Sequence, residues 1–294
     1  PSRPVRLIIP FPPGGSNDVV GRLIAQQLSN RLGQQVVPDN RAGAGGMIGT
    51  EAAAKADPDG YTIGLCSLGF SYAPALYAKL PYDTEKDLAP ITLTATQPFV
   101  YTAHPSLGVN NMKELIALAK SQPGKLSYST TVAFLTMSQE WLNRQAGVVI
   151  NPINYKDTPQ AVQDNVSGRV PIMVNSLGTA LPQIRAGKLR LLAVTSLKRL
   201  PSLPDTPTVS ETIPGYEYML WQGIVAPAKT PPAIIAKLNA EVVKALNAPD
   251  VREQMAAIGN EPLPSTPEAY AKHIAEQVEK MKEIVRLGGI KPQD

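Results

Sequence analysis

The sequence contains few of the residues that build disulfides and metal centres. Its 294 residues include one cysteine, Cys66, and two histidines, His104 and His273. One cysteine permits no internal disulfide, and two distant histidines make no cluster at metal-ligand spacing. We therefore expect neither zinc chemistry nor another cofactor. Cys66 stands within an apolar run and is interpreted as a small buried core residue.

Long apolar runs and an excess of one charge are also missing. No stretch approaches the roughly 18 consecutive apolar residues that span a bilayer. The 28 basic and 24 acidic residues leave a net charge of +4 and are spread along the chain, so no nucleic-acid surface is indicated. The chain opens with neither a methionine nor an apolar signal segment, and we interpret it as a mature, soluble form.

Aromatic residues are scarce as well. They make up 5% of the chain, so the core must rest on alanine, valine, isoleucine and leucine. At about 150 residues per domain, a chain of 294 residues suggests two domains. The 29 prolines stand at the edges of predicted elements and form no repeat, so they do not indicate disorder.

Strand and helix patterns alternate in the first quarter of the chain. They predict strands over residues 5–10, 35–37 and 61–66 and helices over residues 16–32 and 47–55. Ser16 or Asn17 can cap the first helix, Gly33 ends it, and its apolar stripe begins with Val19 and Leu23. Because parallel strands need crossover helices, the alternation predicts a parallel α/β sheet.

A second series of such units begins near residue 98. It predicts helices over residues 112–120, 136–145, 159–167 and 180–186 and strands over residues 125–129, 148–155, 170–174 and 189–195. A proline-rich stretch precedes one more strand over residues 218–225, and the C-terminus is helical. We expect Trp221 in the segment that crosses between the lobes, as a packing anchor or as a cleft wall.

Four loops that leave predicted strands have the composition of anion sites. They combine small residues and hydroxyl side chains with the backbone N–H groups of a helix start. Because ligands bind at the carboxyl ends of parallel strands, these loops predict a site for a carboxylate or phosphate. The loops are residues 13–17, 42–46, 129–131 and 157–159.

Motifs for other chemistries are incomplete. Gly43 and Gly45 begin a dinucleotide-like pattern, but Ile48 stands where its third glycine belongs. The chain has no phosphate-loop motif and no G-x-S-x-G elbow. Asp18 either complements the dipole of the first helix or acts as the base of a carboxylate-handling enzyme. The enzyme hypothesis lacks a partner acid, metal or nucleophile.

Six ordered motifs resemble those of the extracytoplasmic solute receptors of tripartite tricarboxylate transporters, often called the Bug family. They are residues 10–18, 40–46, 57–62, 81–83, 187–190 and 204–209, and the similarity covers essentially the whole chain. The resemblance implies an α/β fold of the type II-like periplasmic binding protein class. Each of two lobes would be a mostly parallel sheet flanked by helices, and two crossing strands would join them. The first lobe would comprise residues 1–98 and 222–294, and the second residues 99–221.

The resemblance also implies a function and a site. It implies a monomeric periplasmic receptor, without enzymatic activity, that closes on a small organic carboxylate and delivers it to the membrane subunits of a tripartite transporter. Signalling to a sensor kinase ectodomain stays open as an alternative role. In the family, glycine loops of the first lobe hold the ligand carboxylate through backbone amides and ordered water, without an arginine. The expected ligand-binding residues are Phe11, Gly14, Gly15, Ser16, Asn17, Asp18, Ala44, Gly45, Gly46, Ser67, Phe70, Thr130, Thr131, Phe134, Asp157, Thr158, Asn175 and Ser176.

Departures from the family pattern bear on the ligand. The resemblance places Asn175 where many family members have an aspartate. An amide can form hydrogen bonds but cannot neutralise an ammonium ion. The loop over residues 130–135 is apolar where relatives are rich in glycine and serine, and we expect Phe70 in the loop after the third strand. These residues predict a dry pocket for the aromatic or aliphatic body of a mono- or dicarboxylate. Asp157 could instead meet an ammonium, or it caps a helix.

Overall fold

The chain folds into two compact units. The computed structural model describes residues 1–288. Unit 1 comprises residues 1–96 and the chain from Trp221 onward, and unit 2 comprises residues 97–220. The chain passes from one unit to the other within two strands, β4 (Leu88–Ala103) and β9 (Met219–Pro227).

Unit 1 contains a mixed sheet covered by helices. Its other elements are β1 (Val5–Ile9), α1 (Ser16–Leu32), β2 (Val36–Asn40), α2 (Met47–Ala54), β3 (Thr62–Ser67), α3 (Leu68–Leu76), α8 (Pro232–Leu246), α9 (Pro249–Ala257), β10 (Glu261–Pro262) and α10 (Pro267–Gly288). Strand β1 lies between β2 and β3 and is parallel to both, as the alternation predicted. Strand β9 then pairs with β3 antiparallel, and β10 pairs antiparallel with the first half of β4.

A large cluster of buried aliphatic side chains packs between the sheet of unit 1 and helices α1 and α8. Helix α1 buries Val20, Leu23 and Ile24 against the sheet and ends at Gly33, which adopts the left-handed conformation. Val19, which we expected in the apolar stripe, is exposed because the buried face lies one residue further along the helix. Helix α10 buries Ile274, Val278, Met281 and Val285.

Unit 2 repeats the alternation of strands and helices. Its elements, besides the second half of β4, are α4 (Met112–Ser121), β5 (Leu126–Thr130), α5 (Ala133–Ala146), β6 (Ile150–Asn154), α6 (Thr158–Val166), β7 (Ile172–Ser176), α7 (Leu177–Arg185) and β8 (Arg190–Val194). Strand β5 is parallel to β6 and β7, whereas β4 is antiparallel to β7 and β8. Each predicted strand and helix of this unit is present, with ends shifted by one to three residues.

Four elements escaped the sequence patterns, and one of them is the two-residue strand β10. Helix α3 is buried on nearly all sides and contains Gly69 and Pro74, so it shows neither helical periodicity nor a polar face. Strand β4 carries Pro90 and Pro98, which interrupt the pattern of a strand. Helix α9 follows α8 after two residues, and the expectation of a helical C-terminus did not distinguish it as a separate element.

Trp221 is a packing residue of unit 1. Its side chain is buried, and the edges of the Tyr270 and His273 rings meet it at centroid distances of 6.0 and 5.2 Å. This geometry favours the packing interpretation over a cleft wall. Within residues 1–288, no helix combines the length and apolar character needed to cross a membrane.

A substitution of Gly223 in β9 tests how tightly α10 packs on the sheet. A Cβ at this position would lie 2.2 Å from ring atoms of the fully buried Tyr270, so the Gly223→Ala variant must displace the strand or the helix. Overpacking of this kind costs about 1–3 kcal/mol, and urea denaturation should show that loss in the free energy of unfolding. Gly15→Ala is the control, because its Cβ would meet nothing closer than 3.9 Å. Equal stability of the two variants would contradict this packing.

Candidate functional site

A buried carboxylate organises the loop between β1 and α1. Asp18 accepts hydrogen bonds from the Gly14 backbone N–H at 2.9 Å, from Arg22 Nε at 2.9 Å and from Asn40 Nδ2 at 2.8 Å. Asn40 Nδ2 also donates to the carbonyl oxygen of Phe11 at 3.0 Å. These hydrogen bonds connect the loop to the first helix and to the end of β2.

The same contacts determine the charge of Asp18. Burial by itself raises the pKa of this carboxyl, but the hydrogen bonds from Arg22, Gly14 and Asn40 outweigh burial and hold its pKa below the ordinary value. A carboxylate with a lowered pKa and three donors is a poor proton acceptor. The arrangement therefore favours a structural role for Asp18 over the role of a general base.

Helix α1 begins without a side-chain cap. Its N-cap is Gly15 in an extended conformation, so the expectation that Ser16 or Asn17 caps the helix is wrong. Both side chains instead accept hydrogen bonds from Gln222, whose Nε2 lies 2.9 Å from Asn17 Oδ1 and 3.3 Å from Ser16 Oγ. Asn260 Nδ2 also donates to Ser16 Oγ at 3.4 Å. The side chains of Ser16 and Asn17 therefore bond to residues that are distant in the sequence and do not cap the helix.

The glycine-rich loop before α2 has a backbone that few residues can adopt. Ala44, Gly45 and Gly46 have φ angles of 47°, 63° and 101°, in or near the left-handed region that favours glycine. Thr50 Oγ1 donates to the Gly46 carbonyl at 2.9 Å, and Tyr72 OH donates to the Gly45 carbonyl at 3.5 Å. Helix α2 starts at Met47, and its N-cap Gly46 offers no side-chain cap. Hydroxyl groups therefore bind the two carbonyl groups. At the start of α2, the Met47 N–H donates to the Ala44 carbonyl and no side chain caps the helix.

The end of β3 leads directly into a helix. Ser67 is the N-cap of α3, again without a side-chain cap, and Phe70 lies in the first turn. Placing Phe70 in a loop was wrong, because α3 follows β3 without any connecting residue. The Phe70 ring stacks on Tyr82, with centroids 6.0 Å apart.

Residues from these segments line one small cavity in unit 1. It brings together five of the predicted residues, Phe11, Gly45, Gly46, Ser67 and Phe70, with Pro10, Thr50, Gly69 and Tyr82, which the sequence interpretation did not place in the site. Tyr82 belongs to the motif over residues 81–83, the signal that could have found it. The lining contains no lysine or arginine.

Three helix starts without side-chain caps thus belong to one edge of the unit 1 sheet. Helices α1 and α3 follow the parallel strands β1 and β3, and α2 follows the loop after β2. The first N–H groups of a helix have no partner within the helix, and they carry the positive end of its dipole. Such an edge is suited to hold an anion without a cationic side chain.

Unit 2 contributes one uncapped helix start. Thr130 ends β5 and Thr131 follows it, while α5 begins at Ala133 with Val132 as an N-cap that makes no side-chain bond. Phe134 therefore lies in the first turn of α5, and its ring lies 5.6 Å from that of Phe99. The expected loop over residues 130–135 is shorter than predicted, because the helix starts three residues earlier.

The remaining predicted residues of unit 2 lie at the starts of α6 and α7. Asp157 is the N-cap of α6 and accepts from the Gln160 N–H at 2.9 Å, with Thr158 as the first helical residue. This is the capping role that we weighed against an ammonium contact. Ser176 caps α7, and Asn175 Oδ1 accepts from the Ser176 N–H at 2.8 Å.

Side chains for metal or thiol chemistry are not assembled in the part of the chain that the structure describes. Within it, no three histidine, cysteine, aspartate or glutamate residues are grouped so that they could hold a metal ion. Cys66 is buried, and burial raises the pKa of its thiol well above the ordinary value. A thiol in that state is unreactive.

Comparisons with known proteins match the chain to one family over nearly its whole length. The model of the family described as "Tripartite tricarboxylate transporter family receptor" matches residues 20–290. Among curated proteins, BugT of Bordetella pertussis is 37% identical over 296 residues, which is 99% of this chain and 91% of that protein.

Solved structures match over the same length. One, of an R. palustris protein with adipate, has a TM-score of 0.89 and 33% identity and covers 100% of this chain and 99% of its own. Another, the periplasmic binding protein BugD, has a TM-score of 0.85 and 36% identity and covers 100% of both chains. The chain has the two-lobe periplasmic binding protein fold of these proteins.

Asp18 should make the stability of the protein depend on pH. Because its pKa is lowered by folding, its contribution is complete above the unfolded value of about 3.9 and is lost as the pH falls through the folded value. The Asp18→Asn variant should therefore be less stable than the wild type at pH 7, with a difference that shrinks below about pH 4.

Urea denaturation between pH 7 and pH 3 measures that difference. Asp59→Asn is the control, because Asp59 pairs with Arg3 on the exposed surface, where an ion pair contributes about 0–1 kcal/mol. A stability difference for Asp18→Asn that stays constant over the whole range would show that the Asp18 charge has no part in it.

Proposed function

Because the chain belongs to the tripartite tricarboxylate transporter receptor family, we propose that it is a periplasmic receptor that captures a small organic carboxylate. The proposal includes capture by closure of the two lobes and delivery to the membrane subunits of a tripartite tricarboxylate-type transporter. The family consists of solute-binding receptors and is not an enzyme family. The lowered pKa of Asp18 supports binding without chemistry.

One observation carries the proposal. Helices α1, α2 and α3 of unit 1 all begin without side-chain caps, at the edge where β1 and β3 end. An uncapped start favours a negative charge by about 0.3–1 kcal/mol at an exposed site, and more where it is partly buried. Three of them next to a cavity without cationic side chains support recognition of a carboxylate by backbone N–H groups.

We propose the ligand class from the chemistry of the expected site residues of each unit. The similar R. palustris protein was solved with adipate, an aliphatic dicarboxylate. In this chain we propose that Phe70 and Phe134 contact the apolar body of the ligand. Asn175 adds no charge that would favour an ammonium. We therefore propose an aromatic or aliphatic mono- or dicarboxylate rather than an amino acid.

A ligand panel tests the receptor function. Adipate, succinate and benzoate should be compared by thermal melting and isothermal titration, and at least one should raise the melting temperature at millimolar concentration. Gly15→Val should weaken its binding at least tenfold with little change in melting temperature. Gly15 has a φ of −80°, which a valine can adopt, and a Cβ there would meet nothing closer than 3.9 Å. We therefore expect the variant to fold, with the valine side chain over the start of α1.

Ala186→Val is the matched control. Ala186 is an exposed C-cap residue of α7, so the added methyl groups should change neither stability nor affinity. Failure of every carboxylate to bind the wild type would contradict the proposed function. Binding by Gly15→Val within twofold of the wild type would instead contradict the assignment of the α1 loop.

Delivery to a membrane partner has a separate test. The ligand-loaded receptor should retain the membrane subunits of a tripartite transporter in a pull-down from detergent extracts, with weaker retention in the absence of ligand. Retention of a sensor kinase ectodomain in their place would support the signalling role. Size-exclusion chromatography of the same sample should give the mass of a monomer, and a dimer mass would contradict that part of the proposal.

A further inference from the structure

Gln222 connects β9 to the start of α1. It is fully buried, and its Nε2 donates to Asn17 Oδ1 at 2.9 Å and to Ser16 Oγ at 3.3 Å. Asn260, also buried, supports the same group by donating to Ser16 Oγ at 3.4 Å. Two buried amides thus reach the first two residues of the uncapped helix.

The sheet holds Gln222 in position. Gln222 lies opposite Ser67 in the antiparallel pair of β9 and β3, so the two side chains share one face of the sheet. Thr94 Oγ1 donates to the backbone carbonyl of Gln222 at 2.9 Å. The amide therefore stands beside a residue of the proposed site, on a strand that is bonded on both of its edges.

The burial of Gln222 is costly for the fold. Among the described residues, neither Gln222 Oε1 nor Asn260 Oδ1 has a hydrogen-bond partner, although both atoms are buried. A buried carbonyl oxygen without a donor is destabilising, and an apolar side chain of the same size would avoid that loss. A polar residue kept at such a position indicates a role other than stability.

The bond to Asn17 determines what that residue can offer a ligand. An asparagine side chain has one carbonyl acceptor and one amide group with two donors. Because Asn17 Oδ1 accepts from Gln222, the side-chain amide of Asn17 is oriented with its Nδ2 donors on the side away from Gln222. A carboxylate ligand accepts hydrogen bonds, so it needs donors.

We propose that Gln222 is a positioning residue for carboxylate recognition, which holds Asn17 with its Nδ2 donors presented to the ligand. The inference rests on the proposed function. It adds that selectivity for an anion comes partly from a buried amide on β9, a strand that also connects the two units in sequence.

Replacing the amide by a carboxylate of the same shape tests the inference. In the Gln222→Glu variant the ionised side chain can only accept, so Asn17 must turn its Nδ2 toward it and present Oδ1 to the ligand. Binding of adipate, succinate or benzoate, whichever the wild type binds, should weaken at least tenfold at pH 8. Isothermal titration of both proteins measures the ratio of their dissociation constants.

A pH series separates positioning from a merely structural role. Burial raises the pKa of a carboxyl, so the side chain introduced by Gln222→Glu should regain a proton, and with it a donor, between pH 8 and about pH 5.5. The ratio of the variant and wild-type dissociation constants should therefore fall toward one in this range. Damage to the fold alone would leave the ratio unchanged.

Two further variants complete the test. Asn239→Asp is the matched control, because Asn239 Nδ2 donates to the Ile91 and Ser265 carbonyls, both at 2.8 Å, in unit 1 away from the glycine loops. It should lose stability without a selective loss of affinity. Gln222→Met removes both the donor and the acceptor. The Gln222→Met variant should bind about three- to tenfold more weakly than the wild type at every pH, which corresponds to about 1 kcal/mol of binding free energy.

The outcomes are distinct. Absence of carboxylate binding by the wild type would overturn the proposed function and the inference together. Binding by the wild type that Gln222→Glu retains within twofold at pH 8 would overturn the inference alone, as would a tenfold loss that persists at pH 5.5. If Gln222→Glu does not fold at pH 8, Gln222→Met decides, and affinity within twofold of the wild type overturns the inference.

Discussion

The geometry of the first unit depends on the hydrogen bonds that the Asp18 carboxylate accepts. The carboxylate binds the backbone of Gly14, the guanidinium of Arg22 and the amide of Asn40, and so joins the β1 loop, α1 and the end of β2. A buried carboxylate is stable only when donors replace the water it has lost, and three donors do so here. The loop consequently has a defined shape before any ligand arrives, which reduces the ordering entropy that binding would otherwise cost.

Recognition of an anion then falls to backbone and amide groups. Arg22 is engaged with Asp18, and Arg41 pairs with Asp39 at 2.9 Å, so these nearby cations of unit 1 already have carboxylate partners. Helix starts supply a weaker field than a free arginine, but their N–H groups are held by the helices and need no side-chain ordering. The positive φ angles over Ala44, Gly45 and Gly46 serve the same end, because they let the backbone itself approach a ligand.

Local sequence patterns predicted most elements and several residues of the cavity. The alternation of short apolar runs with helical patterns predicted β1, β2 and β3. Glycine and hydroxyl residues indicated the loops that line the cavity. The patterns failed for α3, because a helix that is buried on nearly all sides shows no apolar periodicity. For that reason Phe70 was expected in a loop but lies in a helix. The patterns failed again at helix ends, where Ser16 and Asn17 have the right chemistry for caps but bond elsewhere.

By itself, the sequence determined that parallel strands would bring helix starts and glycine loops to one edge of each sheet. That result needs only the order of the elements, because crossover connections leave no other arrangement for parallel strands. Only the tertiary structure decided which side chains hold those loops. Gln222 and Asn17 are 205 residues apart in the chain, and their hydrogen bond depends on the register of β9 against β3 and on the path of α1. No local pattern encodes a distance between residues so far apart, because it results from packing of the whole unit.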